Sequence, residues 1–558
     1  MEYIGFLIIV AILLLFFFIS GIINERKSKK NYINNLIKNY GLQNTREYNV
    51  EGFQNISAYF RHHKTDFSID DITWNDLNMN EIFRQMNYAK SSAGDEYLYY
   101  LLRSPRTTAW DWGEFENKVE YFRTHQPQRL KLQLVLHKMG YTGKYSLYDY
   151  LDNLDSLEKR NSTKDILADI MLILSIVIMF ADLGKGLVFF FIMIFYNVTT
   201  YFKEKAVVDP YITSFRYLFR ILNEVKELKK IKLTAIHEEV EKLSGLAHKL
   251  NNFTRFSYLL MSGTRMSGDM MELGLDYIRM FFHLDIIKFN SMVKEVYKNR
   301  GQIDEMITII GKLDTYLCIG EYREYLKEYC VPEYGKNRYF AKELYHPLLS
   351  EPVKNDVEVT KSMLITGSNA SGKSTFLKTI AVNAILAQSI HTVCADKYVG
   401  DYYRIYSSLS LKDNFFEGDS YYMAEIKSIK RILDASVKEG APVLAFVDEV
   451  LRGTNTIERI SASSVILQQL AERNGYCFAA THDLELAEML KNYYENVHFE
   501  ESIENEDIVF PYRLQKGKAT TRNAIALLKI MGYDSRITQT AQNQAERFEI
   551  NRKWEVLP

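Results

Sequence analysis

Proline, glycine and cysteine are all scarce in this chain of 558 residues, which contains 9 Pro, 27 Gly and 4 Cys. The shortage of proline and glycine excludes collagen-like segments and Pro-rich linkers, and it favours long helices with few breaks. The cysteines, Cys318, Cys330, Cys394 and Cys477, are too few and too scattered for a disulfide framework or a cysteine-based zinc site. They suit a reducing cytosol.

An excess of charge of either sign is also lacking, because 69 Lys and Arg face 70 Asp and Glu. The chain therefore has no global basic field of the kind that a nucleic-acid coat protein carries, and any contact with nucleic acid must be local. With 47% hydrophobic and 25% charged residues, the composition excludes a mainly disordered chain. At roughly 150 residues per domain, the length predicts three to four domains.

The longest uncharged run is residues 4–23, and its 20 residues can cover about 30 Å of hydrocarbon as a helix. Glu2 precedes the run and no small-x-small cleavage site follows it, so we interpret it as a membrane anchor rather than a signal peptide. Basic residues at positions 26–30 follow at once. The positive-inside rule places them in the cytoplasm and the N-terminus outside.

A second apolar region covers residues 166–202 and is broken at residues 182–186, which predicts a helical hairpin. Each half is short for a membrane span, and Asp169 and Asn197 lie inside the apolar runs. Two interpretations therefore stay open: a transmembrane hairpin, or a hairpin buried in a soluble core. Basic residues on both flanks place the neighbouring segments in the cytoplasm in either case.

The remaining pattern divides the chain further. A polar helical region before the hairpin contains one distinctive stretch, residues 70–77, and apolar residues at spacings of three and four predict long amphipathic helices after it. From about Tyr339, short apolar runs alternate with helical patterns, as in an α/β domain with a buried parallel sheet. The predicted segments are an anchor at 1–24, a helical region at 25–164, the hairpin at 165–203, a long-helix region at 204–338 and the α/β domain at 339–558.

A phosphate-binding loop follows the apolar run 363–366 and precedes a helical pattern. Its glycines let backbone N–H groups surround phosphates at a helix N-terminus, where Lys373 reaches the β- and γ-phosphates and Ser374 ligates Mg²⁺. The residues predicted to bind ATP are the eight that fit G-x-x-x-x-G-K-[ST] and the threonine after them: Gly367, Ser368, Asn369, Ala370, Ser371, Gly372, Lys373, Ser374 and Thr375.

Two further apolar runs end in residues that ATP hydrolysis requires. Asp448 and Glu449 follow the run 443–447, and we predict that Asp448 holds Mg²⁺ while Glu449 acts as the general base. His482 follows the run 477–480, and as the third element in an ordered set it is predicted to sense the γ-phosphate.

The order of these motifs resembles the MutS family of DNA mismatch repair ATPases, which belong to the ABC-type class. The resemblance rests on Glu-Gly-Asp-Ser-Tyr-Tyr-Met-Ala-Glu at 417–425, Asp-Glu-Val-Leu-Arg-Gly-Thr-Asn-Thr at 448–456 and Thr-His at 481–482. It implies that Asn355 contacts adenine. It also implies a homodimer in which Ser420 approaches the partner's γ-phosphate and acts in trans. The turn 452–456 would then lie at the dimer seam.

The expected fold is an α/β P-loop, ABC-type ATPase domain that follows a mainly α-helical lever and core region with N-terminal transmembrane helices. Three departures from the family matter. The family's mismatch-reading domain with its Phe-x-Glu wedge has no counterpart, Tyr421 and Tyr422 replace Thr-Phe after the signature serine, and Leu451 stands in place of a glycine. These departures are compatible with ATP chemistry and count against mismatch reading.

The leading hypothesis is an ATPase anchored in the cell membrane, with ATP and Mg²⁺ as cofactors, whose cytoplasmic ATPase domains dimerise and couple to binding of mismatched or distorted DNA. The alternative is an ATP-gated membrane scaffold or regulator that does not bind DNA. A third hypothesis, an ABC-type transporter, is weaker because the chain offers few spans for a substrate path. Residues 203–255 hold 11 Lys or Arg against 7 Asp or Glu, a basic cluster that suits DNA, anionic lipid or a solvated helix face.

Substitutions separate the assigned roles of the ATP-binding residues. Lys373→Ala should weaken nucleotide binding, because it removes the cation that contacts the phosphates. Glu449→Gln should leave binding intact and trap a closed dimer, because it removes the base alone. Nucleotide binding and ATP turnover measure the two effects. Hydrolysis by Glu449→Gln at the wild-type rate would show that the general-base assignment is wrong.

Overall fold

The chain folds into two units that interleave along the sequence. A computed structural model describes all residues except 1–19, 21, 22, 25, 49, 144, 155–159, 256–269, 369, 370, 410–420, 453, 505, 506, 520–523, 552, 555, 557 and 558. The helical unit contains residues 1–63, 86–100 and 113–325, and the α/β unit contains residues 64–85, 101–112 and 326–558. Nearly all of the predicted anchor at 4–23 lies outside the described residues.

In the described part of the first 326 residues, the regular elements are all helices. In chain order they are α1 (Val50–Ile56), α2 (Ala58–His62), α3 (Asp71–Asp76), α4 (Met79–Met86), α5 (Ser92–Arg103), α6 (Gly113–Thr124), α7 (Gln126–Met139), α8 (Leu147–Leu154), α9 (Thr163–Ala181), α10 (Leu183–Ile231), a short 3₁₀ helix (Thr234–Ile236), α11 (His237–Lys249), α12 (Asn251–Thr254), α13 (Met270–Phe282), α14 (Leu284–Lys298) and α15 (Arg300–Leu326).

The predicted hairpin is formed by α9 and α10, which meet at Asp182. The Asp182 carboxylate caps α10 by accepting the N–H of Lys185 at 3.1 Å, and Gly186 permits close packing because a Cβ there would lie 2.5 Å from Met179 Cα. The predicted boundary between residues 203 and 204 falls inside α10, which continues unbroken for 49 residues. The second half of the hairpin and the first long helix after it are therefore parts of one continuous helix.

Within the helical unit, α5 and α15 cross at two glycines. A Cβ on Gly311 would lie 2.5 Å from the Cβ of Tyr97, and a Cβ on Gly94 would lie 2.3 Å from the carboxylate of Asp314. That buried carboxylate accepts the Ser91 hydroxyl at 2.6 Å. The contact depends on residues without side chains, since any larger residue would push the helices apart.

The chain after residue 326 alternates strands and helices, as the sequence predicts. The elements are β1 (Glu333–Tyr334), β2 (Tyr339–Leu344), β3 (Asn355–Val359), β4 (Ser362–Thr366), α16 (Lys373–Ile390), β5 (Lys397–Gly400), β6 (Arg404–Ser408), α17 (Tyr421–Val437), β7 (Val443–Asp448), α18 (Thr456–Ala471), β8 (Gly475–Ala480), α19 (Leu484–Met489), β9 (Tyr494–Phe499), β10 (Ser502–Glu504), β11 (Asp507–Val509), β12 (Leu514–Lys516), α20 (Ala524–Ile530) and α21 (Ser535–Asn551).

The main sheet of the α/β unit has six strands in the order β12-β9-β4-β8-β7-β6, and a smaller sheet has the order β1-β5-β2-β3. All pairings in the main sheet are parallel except that of β12 with β9. Both β4 and β7 are buried along their whole length, as expected for strands covered on both faces. The described residues thus confirm an α/β fold after a mainly helical first part.

The stretch 70–77, which the sequence assigned to the first helical region, packs instead against β6 in the α/β unit. Asp76 accepts the Ser407 hydroxyl at 2.7 Å and the Leu409 N–H at 2.8 Å, while Thr73 accepts the Ser407 N–H at 3.1 Å. Asp70 forms an ion pair with Arg431 of α17. These bonds join a segment from early in the chain to an edge strand of the main sheet.

Candidate active site

The carboxyl ends of β4, β7 and β8 carry the predicted catalytic residues to one edge of the main sheet. Ile365 of β4 pairs with Ala480 of β8, and Ala480 also pairs with Asp448 of β7. The segments that leave these three strands are therefore neighbours, although more than 100 residues separate β4 from β8 in the sequence. This is the edge at which open α/β sheets bind their ligands.

The described part of the phosphate-binding loop has the backbone that its glycines allow. Gly367 has φ +140°, and a Cβ on it would lie 2.7 Å from the carbonyl oxygen of Phe499. Gly372 has φ +98° and precedes the first residue of α16, so the N-terminus of that helix opens onto the loop. Asn369 and Ala370 lie outside the described residues.

Lys373 folds back onto its own loop. Its Nζ donates to the carbonyl oxygens of Gly367 at 2.8 Å and Ser368 at 2.6 Å, and it lies 3.3 Å from Nε2 of His482. Burial lowers the pKa of Lys373 to about 8, against the opposing effect of the Asp448 and Glu449 carboxylates. The phosphate oxygens of a bound nucleotide would replace these two carbonyl oxygens as hydrogen-bond partners of Nζ.

Asp448 and Ser374 form an oxygen pair beside this lysine. The Ser374 hydroxyl donates to Oδ2 of Asp448 at 2.5 Å, and Asp448 is 8% exposed. A hydroxyl, a carboxylate and the phosphates of a nucleotide are ligands that Mg²⁺ accepts. The two residues therefore fit the predicted metal role.

Glu449 lies between the imidazole of His482 and the guanidinium of Arg452. Its Oε1 is 2.8 Å from Nε2 of His482 and its Oε2 is 2.7 Å from Nε of Arg452. Burial raises the pKa of Glu449, but the His482 hydrogen bond and the Arg452 charge outweigh it and hold that pKa below its ordinary value. The carboxylate is thus ionised at neutral pH, as a general base must be.

A cavity of about 420 Å³ opens beside the loop, between Asn355, His346 and Tyr512. The Asn355 side chain donates to the carbonyl oxygen of Tyr512 at 3.0 Å and accepts the N–H of Leu514 at 2.8 Å. In this structure it therefore holds the wall of the cavity. Burial lowers the pKa of His346 to about 4, so that ring is neutral.

Two contacts of the site did not follow from the sequence. Tyr512 contacts the loop, since a Cβ on Gly372 would lie 3.0 Å from its ring, and Arg459 forms a two-pronged ion pair with Asp483 beside His482. No spacing rule links these residues to the loop. The predicted signature Ser420 lies outside the described residues, so its action in trans stays a prediction.

Comparison with known proteins agrees with this geometry. Residues 363–549 match the family MutS domain V. DNA mismatch repair protein MutS of Thermotoga maritima is 28% identical over 276 residues, which is 48% of this chain and 34% of that protein. MutS protein homolog 4 of Homo sapiens is 28% identical over 299 residues, which is 49% of this chain and 31% of that protein.

A third relative, DNA mismatch repair protein MutS of Thermus thermophilus, is 26% identical over 259 residues, or 46% of this chain and 31% of that protein. The match thus spans only about a third of the length of these curated relatives. The MutS domain V match contains the loop from Gly367 to Thr375, Asp448, Glu449 and His482. It supports the predicted P-loop, ATPase-type domain.

The low pKa of Lys373 predicts that nucleotide affinity depends on pH. Bound phosphates favour the charged lysine and raise its pKa, so above about pH 8 the nucleotide-free protein must take up a proton to bind. Affinity for ATP should then fall by up to about tenfold per pH unit above this value. Titration with a non-hydrolysable ATP analogue from about pH 7 to about pH 9.5 measures it. Lys373→Ala is the control, and its affinity should not fall with rising pH in this way. A wild-type affinity that stays constant over this range would contradict the prediction.

Proposed function

We propose that this chain is a Mg²⁺-dependent ATPase of the MutS type that works as a homodimer, is attached to the cell membrane with its ATPase domain in the cytoplasm, and couples ATP to DNA binding. One observation carries the ATPase part: Lys373, the Ser374–Asp448 pair and the Glu449–His482 pair meet at one edge of the main sheet. The match to MutS domain V supports the same conclusion.

The chain's own contacts indicate what must change when ATP binds. Lys373 must leave the carbonyl oxygens of Gly367 and Ser368 for the phosphates. Arg452 must release Glu449 if that carboxylate is to accept a proton from the attacking water. His482, already bonded to Glu449, can orient the carboxylate and contact the γ-phosphate. Mg²⁺, held by Ser374 and Asp448, would neutralise charge on the phosphates.

The DNA part of the proposal rests on the relatives, whose names describe DNA mismatch repair proteins. The basic cluster after the hairpin gives the DNA proposal little further support, because nearby glutamates partly neutralise its lysines. Lys229 pairs with Glu241 at 3.2 Å and Lys230 pairs with Glu227 at 2.6 Å. Distorted duplex DNA is the substrate we propose, without base-specific reading.

The membrane part rests on the apolar surface of the hairpin. Leu183–Asp209 is long and apolar enough to cross a membrane. Only 11% of its most apolar stretch of 18 residues is buried. A soluble protein rarely leaves so large an apolar patch in water. Exposed apolar side chains on α9 and α10 include Ile166, Leu167, Ile170, Ile173, Val177, Phe180, Val188, Phe191, Ile192 and Phe195.

Asp169 and Asn197, which lie inside the apolar runs, are buried away from this apolar surface. Asp169 Oδ1 lies 2.9 Å from Nδ1 of His283, and Nδ2 of Asn197 donates to the carbonyl oxygen of Phe281 at 2.7 Å. Both side chains therefore make polar contacts at the junction of α13 and α14, although Oδ1 of Asn197 has no hydrogen-bond partner among the described residues. Polar residues of membrane helices face the bundle interior in this way, which favours the transmembrane interpretation.

The alternative is an ATP-gated membrane scaffold or regulator that binds no DNA. The observation that favours it is the continuity of α10, which leads from the hairpin into the helical unit without a break. A continuous helix of this kind can transmit motion to the membrane whether or not DNA is present.

DNA binding separates the two candidates. The full-length protein in detergent should hydrolyse ATP, and distorted duplex should stimulate hydrolysis and bind more weakly at high salt, because phosphate contacts release counterions. Turnover and affinity are measured with matched, mismatched and branched duplexes at two salt concentrations. Glu449→Gln is the control for contaminating ATPases. The DNA proposal would be contradicted, and the scaffold supported, if the protein hydrolyses ATP in a Glu449-dependent way but binds no DNA and is not stimulated by it.

The position of the hairpin turn tests the membrane proposal. Lys185, whose side chain is 85% exposed, is replaced by cysteine in a background with Cys330→Ser, and a membrane-impermeant maleimide is applied to intact host cells and to inside-out vesicles. If the hairpin spans the bilayer, Lys185→Cys reacts only in intact cells. Val437→Cys, 64% exposed on the ATPase domain, is the matched control and should react only in the vesicles. Labelling of both cysteines from the same side would contradict a transmembrane hairpin.

A further inference from the structure

The turn after β7 contains two non-glycine residues in the left-handed region. Glu449 has φ +54° and Leu451 has φ +59°. This conformation brings the Cβ of an L-residue close to its own backbone, so single residues adopt it only where their surroundings hold them. Position 451 is the one at which the resemblance expects a glycine, which adopts the conformation freely. In this chain the turn therefore needs support from elsewhere.

That support comes from Glu425 on α17. Its Oε1 accepts the backbone N–H of Leu451 at 2.5 Å and that of Arg452 at 3.3 Å. Two neighbouring N–H groups that point at one carboxylate oxygen fix the direction of both peptide planes. An ionised acceptor makes such bonds stronger than a neutral one would.

Glu425 occupies this place at a cost. It is 3% exposed, and its second oxygen, Oε2, has no hydrogen-bond partner among the described residues. A buried carboxylate with an unpaired oxygen is unfavourable unless other contacts offset it. The two N–H bonds to the turn are the contacts that do so.

The turn is bound on its other sides as well. The Ser463 hydroxyl donates to the carbonyl oxygen of Val450 at 3.1 Å, and the Glu449 N–H donates to the carbonyl oxygen of Ala480 at 2.9 Å. The Glu449 side chain leaves this turn towards His482. A change in the peptide planes at Leu451 would therefore move the carboxylate that must face the attacking water.

We propose that Glu425 is a positioning residue for ATP hydrolysis: its carboxylate holds Leu451 in the left-handed conformation and so sets the direction of Glu449. The inference rests on the proposed ATPase function and explains how this chain keeps the turn with leucine where a glycine is expected. Glu425 does not touch the nucleotide in this role.

The test is a substitution cycle in the full-length protein that compares kcat, KM for ATP and Tm. Glu425→Ala should lower kcat by about tenfold or more, because a displaced general base loses its geometry, while KM changes by less than about threefold. Glu425→Gln should lose less, because its amide oxygen still accepts the two N–H groups. It keeps the cycle usable if the alanine variant fails to fold.

The second arm of the cycle asks whether glycine replaces the support. The double variant Glu425→Ala, Leu451→Gly should recover kcat to within about threefold of Leu451→Gly alone, since glycine adopts the conformation without help. Leu451→Ala is the matched control, because it also removes the leucine side chain but keeps the Cβ. It should not rescue Glu425→Ala.

Wild-type kcat in Glu425→Ala, or a double glycine variant as slow as Glu425→Ala, would overturn the inference. A lower Tm without a change in kcat would overturn it as well, because that is the result expected of a residue that only stabilises the fold. The proposed ATPase function fails separately, if wild type and Glu449→Gln hydrolyse ATP equally slowly.

Discussion

Parallel pairing of β4, β8 and β7 is the constraint on which the candidate active site depends. Parallel strands end at the same edge of a sheet, so the phosphate-binding loop, Glu449 and His482 meet there although they come from three distant parts of the chain. Both β4 and β7 are buried along their whole length, so close packing of their side chains on both faces helps to hold this register. Without that register the lysine, the base and the histidine would not share one small volume.

The polar groups of the candidate site are held by contacts with one another. Lys373 bonds to loop carbonyls, Ser374 to Asp448, and Glu449 to Arg452 and His482. Each of these groups has a partner that ATP or Mg²⁺ would replace, so binding exchanges one set of polar contacts for another. Such an exchange is how a ligand shifts the balance between two conformations of a protein.

Sequence motifs predicted much of this site, since the phosphate loop and the Asp448-Glu449 pair follow short local patterns. Other features had no local pattern. The hydrogen bonds from residues 70–77 to β6, the place of Tyr512 beside Gly372 and the hold of Glu425 on the turn all join residues that are far apart in sequence. Asn355 was predicted from the family resemblance to contact adenine. The structure places the residue in the cavity wall, and its contact with adenine stays a prediction.

The sequence by itself determined the alternation of strands and helices in the second half, the residues predicted to hydrolyse ATP and the apolar character of the hairpin, because periodicity, composition and short motifs are local properties of a chain. Only the tertiary structure decided that α10 runs unbroken past the hairpin, that an early segment completes the α/β unit and that Leu451 takes a left-handed conformation. These outcomes depend on packing and hydrogen bonds between distant residues, whose energies no local pattern contains.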